Sequence, residues 1–195
     1  AIYPQIPAKT LPEFVAWLKA NPEKAKIATS GRGSAQEMAA EMFRMASGAN
    51  TLLIPYKGSS AAHPDLLAGR TALYIDTISA IQSQVKAGNV RAIAVSTLKR
   101  SAALPDVPTA DEQGLKGYEA NTNGGFLAPA GTPKGIIAKL NSEINAALRL
   151  PDVRAKLEAA GIEIQGGTPQ DYAALIKSDL AKWGKLIQDA GIPVE

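Results

Sequence analysis

Cysteine is absent from the 195 residues, and histidine occurs once, at His63. The first absence removes disulfides, thiolate nucleophiles, iron–sulfur clusters and cysteine zinc sites. The second removes His-rich metal sites and leaves little material for a catalytic triad. Aromatic residues are scarce, at 5%, and no apolar stretch approaches the roughly 20 residues that span a bilayer. Lys and Arg total 21 against 18 Asp and Glu, a net charge of +3. These charges are scattered singly, without aromatic–basic interleaving, so the pI near 9.1 is a weak argument for nucleic acid. The chain begins Ala1-Ile2-Tyr3-Pro4, with neither an initiator Met nor a leader peptide. A trimmed or partial chain is therefore one reading from the start. The lack of Cys fits an exported protein and a cytoplasmic one equally.

What is present reads as an ordered α/β chain. Apolar residues make up 46% and charged residues 20%, which supports a sizeable core and argues against disorder. Thr10-Leu11-Pro12-Glu13 is a capping box, with Thr10 and Glu13 expected to satisfy each other's amides. It opens a helix that ends near Asn21-Pro22. A second box, Ser34-Ala35-Gln36-Glu37, opens a helix from Ala35 to about Ser47. Strands are expected at 26–29, 52–55, 72–75 and 91–95, with helices after Ser60 and Thr77 between them. A short helix is expected to be capped by Thr109-Ala110-Asp111-Glu112. Four strands separated by helices are the signature of a parallel, doubly wound sheet. After Gly117 the texture changes. Residues 125–129 read as extended, long helices start at Thr132-Pro133 and Thr168-Pro169, and a helix over 151–160 precedes a possible strand at 162–165.

In an open α/β sheet the ligand site lies at the carboxyl ends of the strands, and three loops there carry polar chemistry. The first, Thr29-Ser30-Gly31-Arg32-Gly33-Ser34, leaves backbone amides accessible before a helix N-terminus, the make-up of an anion site. The alternative is a glycine-rich turn with Ser34 as ordinary cap and Glu37 as its partner; both readings stand. The spacing is neither a P-loop nor a dinucleotide fingerprint. The second loop offers Tyr56, Lys57, Gly58 and the hydroxyls of Ser59 and Ser60 to a polar ligand, or is a solvated turn. In the third, Asp76-Thr77, the carboxylate either caps the next helix or accepts from a ligand hydroxyl, an amine or an ordered water.

Enzyme signatures fail. Ser83-Gln84-Val85-Lys86 and Ser96-Thr97-Leu98-Lys99 match Ser-x-x-Lys without its companion motifs, and there is no Gly-x-Ser-x-Gly elbow. His63 falls inside a predicted helix and reads as a surface or packing residue rather than a general base.

Short motifs along nearly the whole chain resemble the solute-binding proteins of tripartite tricarboxylate transporters, the Bug family of Gram-negative periplasms. They are Pro7-Ala8-Lys9-Thr10-Leu11-Pro12-Glu13, Gly31-x-Gly33-Ser34, Ile54-Pro55-Tyr56-Lys57-Gly58, Asp65-Leu66-Leu67-x-Gly69 and Arg91-Ala92-Ile93-Ala94-Val95. Leu104-Pro105-Asp106-Val107-Pro108-Thr109, Leu127-Ala128-Pro129-Ala130-Gly131-Thr132-Pro133 and Lys182-Trp183-Gly184 complete the set. The resemblance implies a periplasmic-binding-protein-like (type II, Venus flytrap) α/β lobe with a doubly wound, mainly parallel sheet, plus C-terminal helices of a partner lobe. The lobe is expected over 1–118, and 119–195 is expected to complete or bridge the other lobe. The family's complete N-terminal lobe, with its Pro-Gly-Gly loop, is not matched, so half of the binding cleft is expected to be missing.

By the same resemblance the chain binds a small organic carboxylate (a dicarboxylate, tricarboxylate or acidic amino acid) for a membrane permease of the tripartite type, in the periplasm. No cofactor, metal, catalysis or nucleic acid is expected. The implied ligand residues are Thr29, Ser30, Gly31, Arg32, Gly33, Ser34, Tyr56, Lys57, Gly58, Asp76 and Thr77. Two positions depart from the family pattern: Arg32 between the glycines, suited to a second carboxylate, and Glu37, where relatives often have His. Micromolar binding needs roughly −8 kcal/mol, of which one lobe supplies part, so weak or undetectable binding is expected. Apolar faces on the late helices are expected to seek the retained lobe or a second copy of the chain. The rival readings are an effector-sensing lobe of a transcription regulator and a small α/β transferase or hydrolase.

Overall fold

A computed structural model describes residues 1–192. Its centre is a parallel sheet of β1 (Lys26–Thr29), β2 (Leu52–Pro55) and β3 (Leu73–Tyr74), in the order β2-β1-β3. Register pairs Ile27 with Leu53 on one side and with Leu73 on the other. Helices α1 (Leu11–Ala20), α2 (Ala35–Ser47), α3 (Ser59–Leu67) and α4 (Ile78–Lys86) connect and cover it. Because side chains alternate across a strand, Ile27 joins Phe14, Leu18, Ala40 and Phe43 on one face. Its neighbour Ala28 joins Ala62, Leu66 and Ile81 on the other. Two covered faces make this the doubly wound arrangement expected from the alternation.

The sheet departs from expectation at its far edge. Residues 91–95 do not run beside β3 as a fourth strand. Ile2, fully buried, lies antiparallel between Leu73 and Arg91, with Ile2 N donating to Arg91 O at 2.8 Å and Arg91 N returning to Ile2 O at 3.0 Å. The insertion stays short because Pro4 has no amide to extend it. Arg91 then ties the following segment down, Nη1 donating to Ile6 O and Ala8 O at 3.0 and 2.8 Å. Tyr3 also packs against Gly69, where a Cβ would come within 2.6 Å of the ring and φ is +71°. Val95 pairs instead with Thr109 through a single parallel bridge.

Three local expectations change. The Thr109–Glu112 box forms, Glu112 N donating to Thr109 Oγ1 at 2.9 Å and Thr109 N to Glu112 Oε2 at 2.8 Å. No helix follows it; turns run through Gly114 at φ +102°. In the first two boxes the Glu reaches one residue further back than expected. Glu13 accepts from Lys9 N and Glu37 from Gly33 N. Residues 162–165 belong to no strand.

Beyond residue 118 come α5 (Lys134–Ala147), α6 (Pro151–Ala159) and α7 (Pro169–Ala190), the last opened by a reciprocal Thr168/Asp171 box. Cover for their apolar faces is partial. α7 packs Trp183 against the core that covers the sheet and buries Leu186, and Lys182 Nζ donates to Glu119 O at 2.6 Å. α5 and α6 bury no residue, and Ile136, Leu140 and Leu180 remain exposed.

Candidate functional site

Parallel strands end on the same edge of a sheet, so the loops after β1, β2 and β3 meet there. The first two are stitched together. Tyr56 N donates to Thr29 O at 2.9 Å and Gly58 N to Ser30 O at 3.1 Å. Gly31, at φ +129°, passes so close that a Cβ would lie 3.2 Å from Tyr56 O, which explains the glycine by position and by backbone angle.

Asp76 is the hub of the third loop. Its side chain has no exposed surface. Oδ1 accepts from Ser59 Oγ at 3.0 Å, from Thr77 N at 2.9 Å and from Gln36 Nε2 at 3.4 Å. Oδ2 lies 2.8 Å from His63 Nε2. Because an ionised carboxylate only accepts, the imidazole donates from Nε2. Tyr74 Oη donates to Ser59 Oγ at 2.8 Å, and the His63 ring stands edge-on to the Tyr74 ring at 5.7 Å. Ser30 Oγ donates to Gln36 Oε1 at 2.7 Å. A buried carboxylate needs such a set of donors, and this one has four.

Of the residues expected at the site, Ser30, Asp76 and Thr77 enter this network directly. Thr29 is fully buried and its hydroxyl has no protein partner among the described residues. Gly31 O accepts from both Ser34 N and Ser34 Oγ, while Ser34 caps α2 by accepting from Glu37 N at 3.1 Å. Gly33 N, an amide expected to serve a ligand, donates to Glu37 Oε2 at 2.6 Å. The first helical amides, those of Ala35 and Gln36, have no partner among the described residues. Arg32 and Lys57 are exposed and make no ion pair among the described residues. Gly58 precedes α3 at φ +91°.

The Tyr56 hydroxyl turns away to Asp65, which also takes Arg70 Nε at 2.7 Å. Burial, then the bond to Asp65, pushes the Tyr56 phenol up to about 12. Asp65, bonded by Arg70 and then by Tyr56, is held below the usual carboxylate range. A phenol that keeps its proton more tightly when folded contributes fully below its unfolded pKa near 10, and that contribution is lost as pH climbs through about 12. Stability is therefore expected to fall across this alkaline window, and Tyr56→Phe is expected to remove part of the fall in urea midpoints taken from pH 9 to 12. An unchanged alkaline profile in the variant would contradict the assignment.

Gln36, Ser59, His63 and Tyr74 were not singled out for a shared role from sequence. His63 is a partner of Asp76 rather than the surface or packing residue expected. The signal was present in spacing: Ser59 and His63 are i, i+4 on one helix face, and Tyr74 and Asp76 are i, i+2 at a strand end.

Ser59, His63 and Asp76 do not make a hydrolase. The carboxylate sits between hydroxyl and imidazole, whereas a triad needs the imidazole in the middle. In the Ser-x-x-Lys matches, Ser96 Oγ is committed to Ala120 O at 2.6 Å and Lys86 Nζ reaches Gln82, not Ser83. No group of three or more potential metal ligands occurs among the described residues, and no helix is long and apolar enough to cross a membrane.

Gln36, Asp76 and Thr77 open onto a cleft of about 1270 Å³ that runs past 92–97 and 121–132 to α5 and α7. Neither the glycine loop over 30–34 nor Tyr56–Gly58 lines it.

The model of the tripartite tricarboxylate transporter family receptor matches residues 1–192. A protein of the UPF0065 group from Pseudomonas sp., from the tcbD–tcbE intergenic region, is 40% identical over 168 residues, covering 86% of this chain and 50% of its own. An R. palustris protein in a structure with adipate superposes with TM-score 0.86 at 33% identity, over 97% of this chain and 64% of that one. MatC from Rhodopseudomonas palustris, with bound malate, gives TM-score 0.77 at 26% identity, over 95% and 64%. The chain thus spans half the length of the first relative and about two-thirds of each solved chain. With the parallel sheet, the two covered faces and the loop motifs in the expected order, the chain belongs to the tripartite tricarboxylate transporter family of receptors.

Proposed function

We propose that the chain is the ligand-holding α/β part of a periplasmic solute receptor, which takes up a small organic acid and presents it to a tripartite tricarboxylate permease. It binds by amides, hydroxyls and ordered water and makes no covalent change. Residues 1–118 form the lobe, and 119–195 belong to the completion of a partner lobe. The observation that carries the reading is the α2 N-terminus. Among the described residues the Ala35 and Gln36 amides have no protein partner, and the exposed Arg32 and Lys57 on the neighbouring loops make no ion pair. Oriented amides and positive charge together suit a carboxylate. What the names of structural relatives say of adipate and malate supports the same ligand chemistry.

Titration of the ¹⁵N-labelled chain with a small dicarboxylate, and with its diamide, tests the proposal. NMR detects even the weak binding expected of one lobe. The acid is expected to shift the site amides and the diamide to leave them in place. Arg32→Ala and Lys57→Ala are each expected to weaken the acid two- to five-fold, about the worth of an exposed charge pair. Equal binding of acid and diamide, or no shift by any acid, would overturn it.

A further inference from the structure

The chain has seven asparagines, and one of them, Asn123, is followed by glycine. An asparagine carboxamide is an electrophile for the next residue's backbone nitrogen, provided nothing crowds or occupies that nitrogen. The other six are poorly placed for such an attack. Asn21 precedes Pro22, which has no amide hydrogen to lose. Asn141 and Asn145 stand inside α5, where the following amides are committed to helical bonds. Asn50, Asn89 and Asn121 precede Thr51, Val90 and Thr122, whose branched side chains crowd the nitrogen. Asn123 lies in an exposed stretch without helix or strand. At Gly124 a Cβ would meet nothing within 4 Å, and its amide has no partner among the described residues.

The Asn123 side chain has a partner on α7: Nδ2 donates to Asp179 Oδ2 at 3.0 Å. That bond joins the segment leaving the lobe to the helix that returns to it. One turn further along α7, Lys182 Nζ donates to Glu119 O at 2.6 Å and Trp183 packs on the core. A carboxylate at 123 would meet Asp179 acceptor against acceptor, with like charges.

We propose that Asn123-Gly124 is a self-modification site: Asn123 deamidates in the folded chain, and the product parts this segment from α7. The Gly124 nitrogen bonds to Asn123 Cγ as it gives up its hydrogen. The Cγ–Nδ2 bond breaks and ammonia leaves with that hydrogen, closing a succinimide ring. Water opens the ring at either carbonyl, giving aspartate or isoaspartate, and nothing is oxidised or reduced. The contact that held Asn123 becomes a repulsion. Because Asn123 also lines the large cleft, a negative charge appears on the cleft wall.

Peptide mapping by mass spectrometry tests the reaction, on the chain incubated at mildly alkaline pH beside a free peptide of residues 119–129. Asn123 is expected to convert while the other six asparagines stay intact. Gly124→Ala is expected to slow the conversion by crowding the nitrogen, and Asp179→Ala to speed it by releasing the carboxamide. Asn123 intact in the folded chain after the peptide has fully converted would overturn the proposal. Chymotrypsin tests the consequence by its rate of cleavage after Phe126, which is 80% exposed. Asn123→Asp is expected to be cut about two- to five-fold faster than the unaltered chain, the worth of one exposed contact. Adding Asp179→Asn to that variant exchanges donor and acceptor, and the slower rate is expected to return. Equal cleavage of the single and double variants would rule out the repulsion, and the proposal with it.

Discussion

Replacing Asp76 by alanine is expected to lower the stability of the chain by about 2–4 kcal/mol, the range for removing one partner of a buried, hydrogen-bonded charge. The loss has four contributors. His63 Nε2, Ser59 Oγ, the Thr77 amide and Gln36 Nε2 all aim at a carboxylate with no exposed surface. Without it, Ser59 still receives the Tyr74 hydroxyl but has nothing to give its own hydrogen to. His63, edge-on to the Tyr74 ring, loses its hydrogen bond to the carboxylate. Water from the adjoining cleft can meet some of these donors, which keeps the expected figure below the sum of four separate losses. Urea unfolding at neutral pH checks it: the midpoint should drop with the slope unchanged. A loss under about 0.5 kcal/mol, the size of an ordinary surface substitution, would show that Asp76 is not the hub described.

Phe14→Ala is expected to cost about 3–5 kcal/mol, the usual range for emptying a buried ring. Few aromatic residues are available, and four of them gather here. Phe14 is fully buried and stacks on Trp17 and Phe43 with centroids 6.1 and 6.5 Å apart. Phe43 then meets Tyr118 edge-on at 6.5 Å. This line of rings joins α1 to α2 and α2 to the chain at residue 118, where Tyr118 Oη donates to Ala39 O at 2.9 Å. The cavity left by Phe14 would sit between two helices already fixed to the sheet, with little freedom to collapse. Phe14→Leu, which refills most of the volume, is expected to recover more than half of the loss. Equal destabilisation by the two variants in thermal and urea melts would contradict a packing origin.

Local chemistry was the most legible part of this chain. Ser34 with Glu37 marks the start of α2, Thr168-Pro169 marks that of α7, and the apolar runs at 26–29 and 52–55 mark the first two strands, because each feature is decided within a few residues. The insertion of Ile2 between Leu73 and Arg91 was not legible, since a single antiparallel pairing has no periodicity and its partners lie about 70 and 90 residues away. The same holds for Asp76 and Gln36, which sit 40 residues apart and meet only because parallel strands bring their loops to one edge. At Thr109 the box formed without its helix. A cap stabilises a helix but does not propagate one, and Gly114 leaves the right-handed region within a turn. The glycine loop, which its sequence leaves open between an anion site and a capping turn, is divided in the structure. Glu37 takes the Gly33 amide, and the Ala35 and Gln36 amides remain.

The residue-by-residue map of the NMR titration tests the central claim most directly. With malate or aspartate, the account predicts the largest shifts at Ser30, Arg32, Ala35, Gln36 and Thr77, saturating together with one affinity, and little change on α5 and α6. Shifts centred elsewhere, or site shifts that sodium chloride reproduces at the same ionic strength, would contradict an acid-binding site at the carboxyl ends of β1 and β3.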